Sequence, residues 1–248
     1  MSEREPLDLA FVGTGNAFAP QRCWSGFVLN ERVLFDAPPT ALYALKCLRL
    51  PLDAIEAIFV SHFHADHFYG LPFLLLQYAY ETRRTSDLTI VGPPGIEERL
   101  RALTELGYPG LLDKLHGFVL RFVDVEDGWH GEVAGLRAEA VEVVHGGPAL
   151  RSFGYRVEAG GRALAYTGDS EYCEQLLRLG RGVDVLVSDC TYVTGRSNPE
   201  HMSFEEVQEL RERLGGTTRL VLTHLGARPP EPPDDHYIVA VDRARYRL

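Results

Sequence analysis

The sequence lacks the features that mark exported or membrane-embedded proteins. No window comes near the ~20 consecutive apolar residues that a membrane-spanning helix requires, so we expect no membrane partner. The N-terminal residues contain no basic segment leading into an apolar one, and we therefore expect no secretory signal. The four cysteines lack Cys-x-x-Cys spacing, which favours reduced thiols and a cytoplasmic location over a disulfide framework.

Positive charge is also scarce. Lysine is nearly absent, arginine supplies most of the cationic side chains, and the formal net charge is −10. This balance argues against broad, non-specific binding to nucleic acid, because its phosphates repel an acidic surface. At 248 residues the chain is long enough for one large core, and no linker divides it. We therefore expect a single domain over residues 1–248.

Three histidines and an aspartate stand together within six residues, at His62, His64, Asp66 and His67. The tract lies between an apolar strand at 57–60 and a Gly-Leu-Pro turn, unlike a histidine-rich tail. We expect the first two histidines to alternate as in a strand and point to one side, with the other two residues on the following turn. Imidazole and carboxylate donors without thiolates suit zinc, with manganese or iron as alternatives. The tract thus predicts two divalent metal ions side by side.

The periodicity of apolar residues predicts alternating strands and helices. Strands are predicted over 7–12, 26–29, 33–36, 57–60, 88–91, 118–123, 133–144, 152–157, 163–166, 183–187, 219–223, 237–241 and 244–248. Helices are predicted over 38–49, 71–80, 96–106 and 171–179, and another begins after Ser203. The elements form two similar halves, of which the first is expected to end near Gly117.

The histidine–aspartate tract resembles the signature of the metallo-β-lactamase fold hydrolases. Three flanking segments, at 13–17, 70–75 and 88–95, resemble those of the ribonuclease Z-like branch of that family. The resemblance covers nearly the whole chain. It implies an α/β fold of four layers, an αββα sandwich with two mixed sheets face to face, helices outside, and metals where strand ends converge.

Three more residues, each just after an apolar strand, complete the ligand set that this resemblance implies. The set is His62, His64 and His145 for one metal, Asp66, His67 and His224 for the other, and Asp169 as the bridge. An alternative for Asp169 is that it, or Ser170, caps the following helix. A carboxylate can bridge while its neighbour caps, so the two interpretations are compatible.

Catalytic roles are also implied by the resemblance. His201 resembles the extra histidine that the ribonuclease Z-like branch places near the scissile phosphate, and the alternative is a surface histidine. We expect His201 to protonate the leaving oxygen or to donate to a non-bridging oxygen. Asp189 would orient His201, although the branch commonly carries the longer glutamate there. Asp66 would help to orient the nucleophile besides binding metal.

One departure from the branch concerns the substrate. Some tRNA-processing members carry a long tRNA-gripping arm between the third-motif histidine and the bridging aspartate, whereas here a plain hairpin fills the interval from His145 to Asp169. We therefore predict a phosphodiesterase acting on a small-molecule or nucleotide-like phosphodiester, with RNA possible but not favoured. The alternatives are a ribonuclease Z-type tRNA 3′-processing endonuclease, a lactone, thioester or carboxyl-ester hydrolase, and a non-catalytic binding scaffold. A homodimer is left open.

Overall fold

The computed structural model describes residues 4–147, 149–195, 200–230 and 234–248. Its strands form two seven-stranded sheets. The first sheet contains β1 (Asp8–Gly13), β2 (Gly26–Leu29), β3 (Val33–Phe35), β4 (Ala57–Phe59), β5 (Leu88–Gly92), β6 (Leu120–Asp124) and the last strand, β14 (Arg245–Arg247). The second contains β7 (His130–Val133), β8 (Leu136–Val143), β9 (Ser152–Ala159), β10 (Arg162–Tyr166), β11 (Val185–Asp189), β12 (Arg219–Thr223) and β13 (Tyr237–Val239).

Both sheets are mixed in the same way. The first has the order β14-β1-β2-β3-β4-β5-β6 and the second the order β13-β12-β11-β10-β9-β8-β7. In the first sheet the neighbours from β3 to β6 run parallel, and in the second sheet so do the neighbours from β10 to β13. Parallel neighbours require crossover connections. The helices α1 (Ala41–Cys47), α2 (Ala65–Phe68), α3 (Leu71–Tyr80), α4 (Ile96–Gly107), α5 (Glu174–Gly180) and α6 (Phe204–Arg213) lie in such connections.

Three apolar cores lie between the layers and hold them together. The central core joins side chains of both sheets, such as Phe27 and Phe35 from the first and Tyr155 from the second. A second core packs the outer face of the first sheet against α1, α3 and α4, and a third packs the second sheet against α5 and α6. Strands covered on both faces carry continuous apolar runs, as in β3 and β4. The predicted αββα sandwich is confirmed.

The predicted division of the chain into halves was wrong. The first sheet continues past Gly117 through β6 and takes back the C-terminal strand β14, so the halves do not separate at Gly117. Strands were also predicted within 118–123 and 133–144, with residues 128–131 between them. His130 and Gly131 instead belong to β7, which pairs with β8 in a hairpin. Its turn residues, Ala134 and Gly135, both have positive φ (51° and 74°), as a type I′ turn requires. The apolar alternation passes through this turn, which concealed it in the sequence.

Two helices are shorter than predicted. Helix α1 begins only at Ala41, after a proline pair, instead of at 38. Helix α5 begins at Glu174, with Cys173 at its N-cap, instead of at 171. The alternative in which Asp169 or Ser170 caps that helix is therefore wrong, because three residues separate Ser170 from the first helical turn. Within the described ranges, no helix is long and apolar enough to cross a membrane.

Candidate metal centre

The predicted site residues meet where strands of both sheets end. On the first sheet, Ser61 and His62 lie in the loop that follows β4. On the second, His145 follows β8, Asp169 follows β10, and His224 follows β12. Strands β8, β10 and β12 run in one direction, since β9 is antiparallel to its neighbours and the remaining ladder is parallel. Their carboxyl ends therefore open on the same edge, the usual location of sites in such folds.

The histidine–aspartate tract is only partly as predicted. Strand β4 ends at Phe59, so His62 and His64 lie in a loop instead of a strand. His64 is the N-cap of the one-turn helix α2, which carries Asp66 and His67. The side chains nevertheless converge, because the ring of His62 lies 4.6 Å from that of His64 and 4.3 Å from that of His67.

All seven predicted ligands come together. Four groups could each hold a cation, because their donor atoms lie within 4.8 Å of one another: His62 with His64 and His145, Asp66 with His67 and His224, His62 with His67 and Asp169, and Asp169 with Asp189, His201 and His224. One carboxylate oxygen connects the sets. Asp169 Oδ2 lies 3.1 Å from Nε2 of His67 and of His224, and 3.8 Å from Nε2 of His145. The arrangement has the geometry expected of a bridging carboxylate.

Buried polar atoms test whether a metal would fit. Nε2 of His62, His67 and His224 and Oδ1 of Asp169 are all buried and lack a hydrogen-bond partner among the described residues. Leaving such a group unsatisfied costs about 1–3 kcal/mol each. These imidazole nitrogens and the carboxylate oxygen surround one space. Zinc is bound by such nitrogen and oxygen donors in proteins. The residues therefore fit two divalent cations.

The other ring nitrogens are held by the protein, which fixes which nitrogen faces the centre. His67 Nδ1 lies 2.8 Å from Asp36 Oδ2, and His145 Nδ1 lies 2.8 Å from the Glu200 carbonyl. A donor at Nδ1 leaves the Nε2 lone pair for a metal. His64 is reversed, since its Nδ1 is the nitrogen that faces His145 Nε2, at 3.2 Å.

Burial and charge set the protonation of the ligands. Burial and the neighbouring His67 lower the pKa of His62 well below its usual value, which favours the neutral form that binds metal. Burial also disfavours a charge on His224, but Asp169 and Asp189 raise the pKa of His224 to about 10. Without a cation, a proton on His224 balances the carboxylates. Metal binding should therefore release protons.

Asp36 belongs to the site but was missed in the sequence. It is fully buried and accepts hydrogen bonds from the Ser61 amide (2.7 Å), the Ser61 hydroxyl (2.9 Å), the Tyr166 hydroxyl (2.7 Å) and His67 Nδ1. Because Ser61 gives its hydroxyl proton to Asp36, its oxygen accepts from His62 Nδ1 at 3.0 Å. The available signal was a carboxylate directly after the apolar strand β3, the same position that pointed to Asp169.

His201 and Asp189 form the predicted pair. His201 Nδ1 lies 2.8 Å from Asp189 Oδ2, so the aspartate is long enough to reach. Asp189 is fully buried, and its other oxygen accepts from the amide and hydroxyl of Thr191. Burial disfavours a charge on His201, but Asp189 raises the pKa of that ring above its usual value. The His201 ring stacks on that of His224 at 4.9 Å and is thus beside the ligands.

A cavity of about 410 Å³ opens over the cluster. His64, Asp66 and His201 lie in its wall, opposite the segment 16–18. The glycine segment that precedes 16–18 therefore lies at the rim of the site as well as forming a tight turn.

Comparison with known proteins places the chain in a family. The family model described as "Beta-lactamase superfamily domain" matches residues 31–225, and the chain belongs to that family. It is an enzyme of the metallo-β-lactamase hydrolase class. Ribonuclease Z from Methanosarcina acetivorans is 28% identical over 276 aligned positions, which cover 90% of this chain and 88% of the relative. Ribonuclease Z from Staphylococcus carnosus is 27% identical, with coverage of 90% and 89%.

Solved structures show the same fold. The human short-form tRNase Z superposes with a TM-score of 0.78 at 23% identity, over 96% of this chain and 98% of the other. A diphosphatase of the PhnP family superposes with a TM-score of 0.74 at 18% identity, over 98% and 97%. Both likenesses confirm the architecture.

The sequence alignments also show a difference in length. Ninety per cent of this 248-residue chain is about 223 residues, so about 50 of the 276 aligned positions lie opposite no residue here. In the structure, strands β9 and β10 fill most of the interval between His145 and Asp169, and they turn at Gly160 and Gly161. The plain hairpin predicted for this interval is confirmed.

Proposed function

We propose that the chain is a dinuclear, metal-dependent phosphodiesterase of the ribonuclease Z type that cleaves a phosphodiester bond in precursor tRNA. The observation that carries the proposal is a complete ligand cluster beside the His201–Asp189 pair, in a chain that aligns with ribonuclease Z over 90% of its length. Those alignments outweigh the preference for small substrates drawn from the sequence alone.

In this proposal the cluster holds two ions, zinc being favoured by its donor set. The ligands are His62, His64 and His145 for one ion, Asp66, His67 and His224 for the other, and Asp169 for both. Two such ions, when bound, lower the pKa of water and stabilise the charge that develops on phosphoryl oxygens. Asp36 orients the ring of His67, and Thr191 orients the ring of His224, in each case through a hydrogen bond at the Nδ1 atom of the histidine.

His201 supplies a proton in the proposed reaction. Its Nδ1 is engaged by Asp189, so Nε2 is the nitrogen available to the substrate. The raised pKa of His201 favours the protonated ring, which can give its Nε2 proton to the leaving oxygen. Asp66 lies in the cavity wall with its side chain 14% exposed, and its carboxylate would orient a water for attack besides binding metal.

Hydrolysis of small, nucleotide-like phosphodiesters is the second candidate. Two observations favour it: the short β9–β10 hairpin stands where an arm would be expected, and the net charge of −10 disfavours a long polyanion. Ester, thioester or lactone hydrolysis rests only on Tyr192 in the cavity wall as an oxyanion donor. A non-catalytic scaffold would have no need for the complete ligand cluster.

A substrate panel on zinc- or manganese-loaded protein tests the proposal. The panel comprises precursor tRNA with a 3′ trailer, thymidine 5′-(4-nitrophenyl phosphate), a lactone and a thioester, each also assayed with Asp169→Ala. We expect cleavage of the tRNA at its trailer junction and turnover of the nitrophenyl diester. Turnover of the diester without tRNA cleavage would select the second candidate. Activity on the lactone or thioester alone would overturn both.

A further inference from the structure

An aromatic side chain at the cavity mouth has no part in the proposed chemistry. Phe18 is 91% exposed, more than the other large hydrophobic residues that are described. It also lines the cavity over the ligand cluster, together with Asn16 and Ala17. The remaining exposed hydrophobics in the described ranges, such as Phe73 and Leu106, do not line this cavity. Single exposed apolar residues are ordinary, so position and support must distinguish Phe18.

The backbone from Asn16 to Phe18 is held in place by hydrogen bonds. The Phe18 amide donates to Asn16 Oδ1 at 3.0 Å, and the Asn16 amide donates to the Leu225 carbonyl, next to the ligand His224. The indole of Trp24 donates to the Ala17 carbonyl at 3.3 Å. The segment is therefore connected by hydrogen bonds to the residue that follows a metal ligand.

A second set of hydrogen bonds closes the base of the loop that runs from Thr14 to Cys23. Asp242 accepts from the Thr14 hydroxyl at 2.7 Å and from the Cys23 amide at 2.6 Å. Space is tight there, because a Cβ added to Gly13 would lie 2.0 Å from the Trp24 carbonyl oxygen. An apolar ring presented to water on a fixed backbone contributes little to folding. It loses little conformational entropy when a ligand covers it, since a phenylalanine has only two side-chain torsions.

We propose that Phe18 is the stacking surface for a nucleobase attached to the scissile phosphate, an inference that rests on the proposed function. The cavity of about 410 Å³ is near the small end of ligand sites, so a phosphate and its sugar can enter while the base stays at the mouth. Aromatic rings stack on the faces of all bases. Phe18 thus favours nucleotides over simple diesters without reading their sequence.

Two diesters with the same leaving group test this role. Thymidine 5′-(4-nitrophenyl phosphate) carries a base, and methyl 4-nitrophenyl phosphate does not. With Phe18→Ala we expect kcat/KM for the nucleoside diester to fall about 5- to 150-fold, the usual effect of removing one base–aromatic stack, chiefly through KM. The methyl diester should change less than about twofold. Phe18→Trp should restore the nucleoside diester, whereas Phe18→Leu should not. Phe73→Ala, 40% exposed and away from the cavity, is the matched control.

Equal losses on the two diesters would overturn the stacking role, because they would indicate a contact with the shared leaving group. No loss on either would overturn it too. A wild-type protein that is inert on both diesters and on precursor tRNA would refute the proposed function separately. Even in that case the stacking role can be tested by calorimetry, which compares the binding of adenosine 5′-monophosphate with that of inorganic phosphate to the metal-loaded protein. A preference for the nucleotide that disappears in Phe18→Ala supports it, and an unchanged preference overturns it.

Discussion

The two halves of the site are built on the same plan around two buried carboxylates. In the first half Asp36 accepts from the amide and hydroxyl of Ser61, and that hydroxyl oxygen accepts from His62. In the second half Asp189 accepts from the amide and hydroxyl of Thr191, which stands in the same relation to His224. Each carboxylate thereby orients a proposed ligand through one hydroxyl group.

The halves differ in the histidine that each carboxylate holds directly. Asp36 holds His67, whose Nε2 is buried and faces Asp169. Asp189 holds His201, whose side chain is 15% exposed to the cavity. In the proposed function the first pair would therefore serve metal binding alone, and the second would add a proton donor. The same arrangement of hydrogen bonds would then support two tasks, and the difference lies in whether the second imidazole faces Asp169 or the cavity.

Removing the residue shared by both halves should have the largest effect. Asp169 lies between the two ligand sets and is 2% exposed. With Asp169→Ala we expect metal content to fall from about two ions per chain and activity to fall to background, because one carboxylate serves both sites. Elemental analysis after loading with zinc or manganese measures this. The exposed Asp113→Ala is the control, and retention of two ions would refute the bridge.

Removing the proton donor should affect the reaction and leave the metals in place. With His201→Ala we expect kcat to fall by about 10²–10⁴-fold, the usual contribution of a positioned acid. The loss should be larger for a diester with a poor leaving group, since a good one needs no proton. The measurement is kcat for two diesters of different leaving-group pKa, with metal content determined in parallel. Equal losses would reduce His201 to positioning, and lost metal would make it a ligand.

Neutralising each carboxylate should separate the two tasks. Replacing Asp36 or Asp189 with Asn keeps the side-chain volume, but the amide NH₂ group then faces groups that donate hydrogen bonds to the carboxylate. With Asp36→Asn we expect metal affinity to fall about 10- to 100-fold, as for other outer partners of ligands. Asp189 is hydrogen-bonded to the ligand His224 indirectly, through Thr191, so with Asp189→Asn we expect a smaller fall in metal affinity than with Asp36→Asn, and a reduced kcat with the greater loss on poor leaving groups. Zinc titration against a chelating dye and kcat at saturating metal distinguish them. The same defect in both variants would contradict the division of tasks.

The sequence allowed prediction of the first half of the site more directly than the second. Four of the seven proposed ligands lie within six residues, a tract that has no ordinary packing role. His145, Asp169 and His224 stand alone, and only strand ends and the family resemblance pointed to them. Their convergence depends on β8, β10 and β12 running in one direction within the sheet, which local pattern does not encode.

What the sequence did not reveal has physical reasons. Asp36 resembles any polar residue at a strand end, and its importance comes from Tyr166 and His67, which are distant in the chain. The turn between β7 and β8 was not located, because the apolar alternation continues through it. The return of β14 to the first sheet depends on pairing with β1 across 237 residues, as between Asp8 and Arg245. Tertiary contacts, not local preference, decide these features.

Helix caps give the smallest predicted effect and extend the comparison beyond the carboxylates. Ser203 follows His201 by two residues and caps α6 through a capping box: its hydroxyl accepts from the Glu206 amide, and the Glu206 carboxylate accepts from the Ser203 amide. Thr40 occupies the N-cap of α1 in the other half, yet its side chain makes no capping bond. Ser203→Ala should therefore lower the free energy of unfolding by about 1 kcal/mol, and Thr40→Ala should change it by much less.

Urea unfolding of the metal-loaded protein at equal concentrations measures both changes. The effect of Ser203→Ala on kcat should stay within a few-fold, because Asp189 and the stacked His224 ring continue to hold His201 after the cap is lost. Destabilisation by Thr40→Ala equal to that by Ser203→Ala would show that the cap geometry does not account for the difference. A loss of kcat comparable to that of His201→Ala would instead mean that α6 positions the histidine, and the Asp189 contact would then be insufficient by itself.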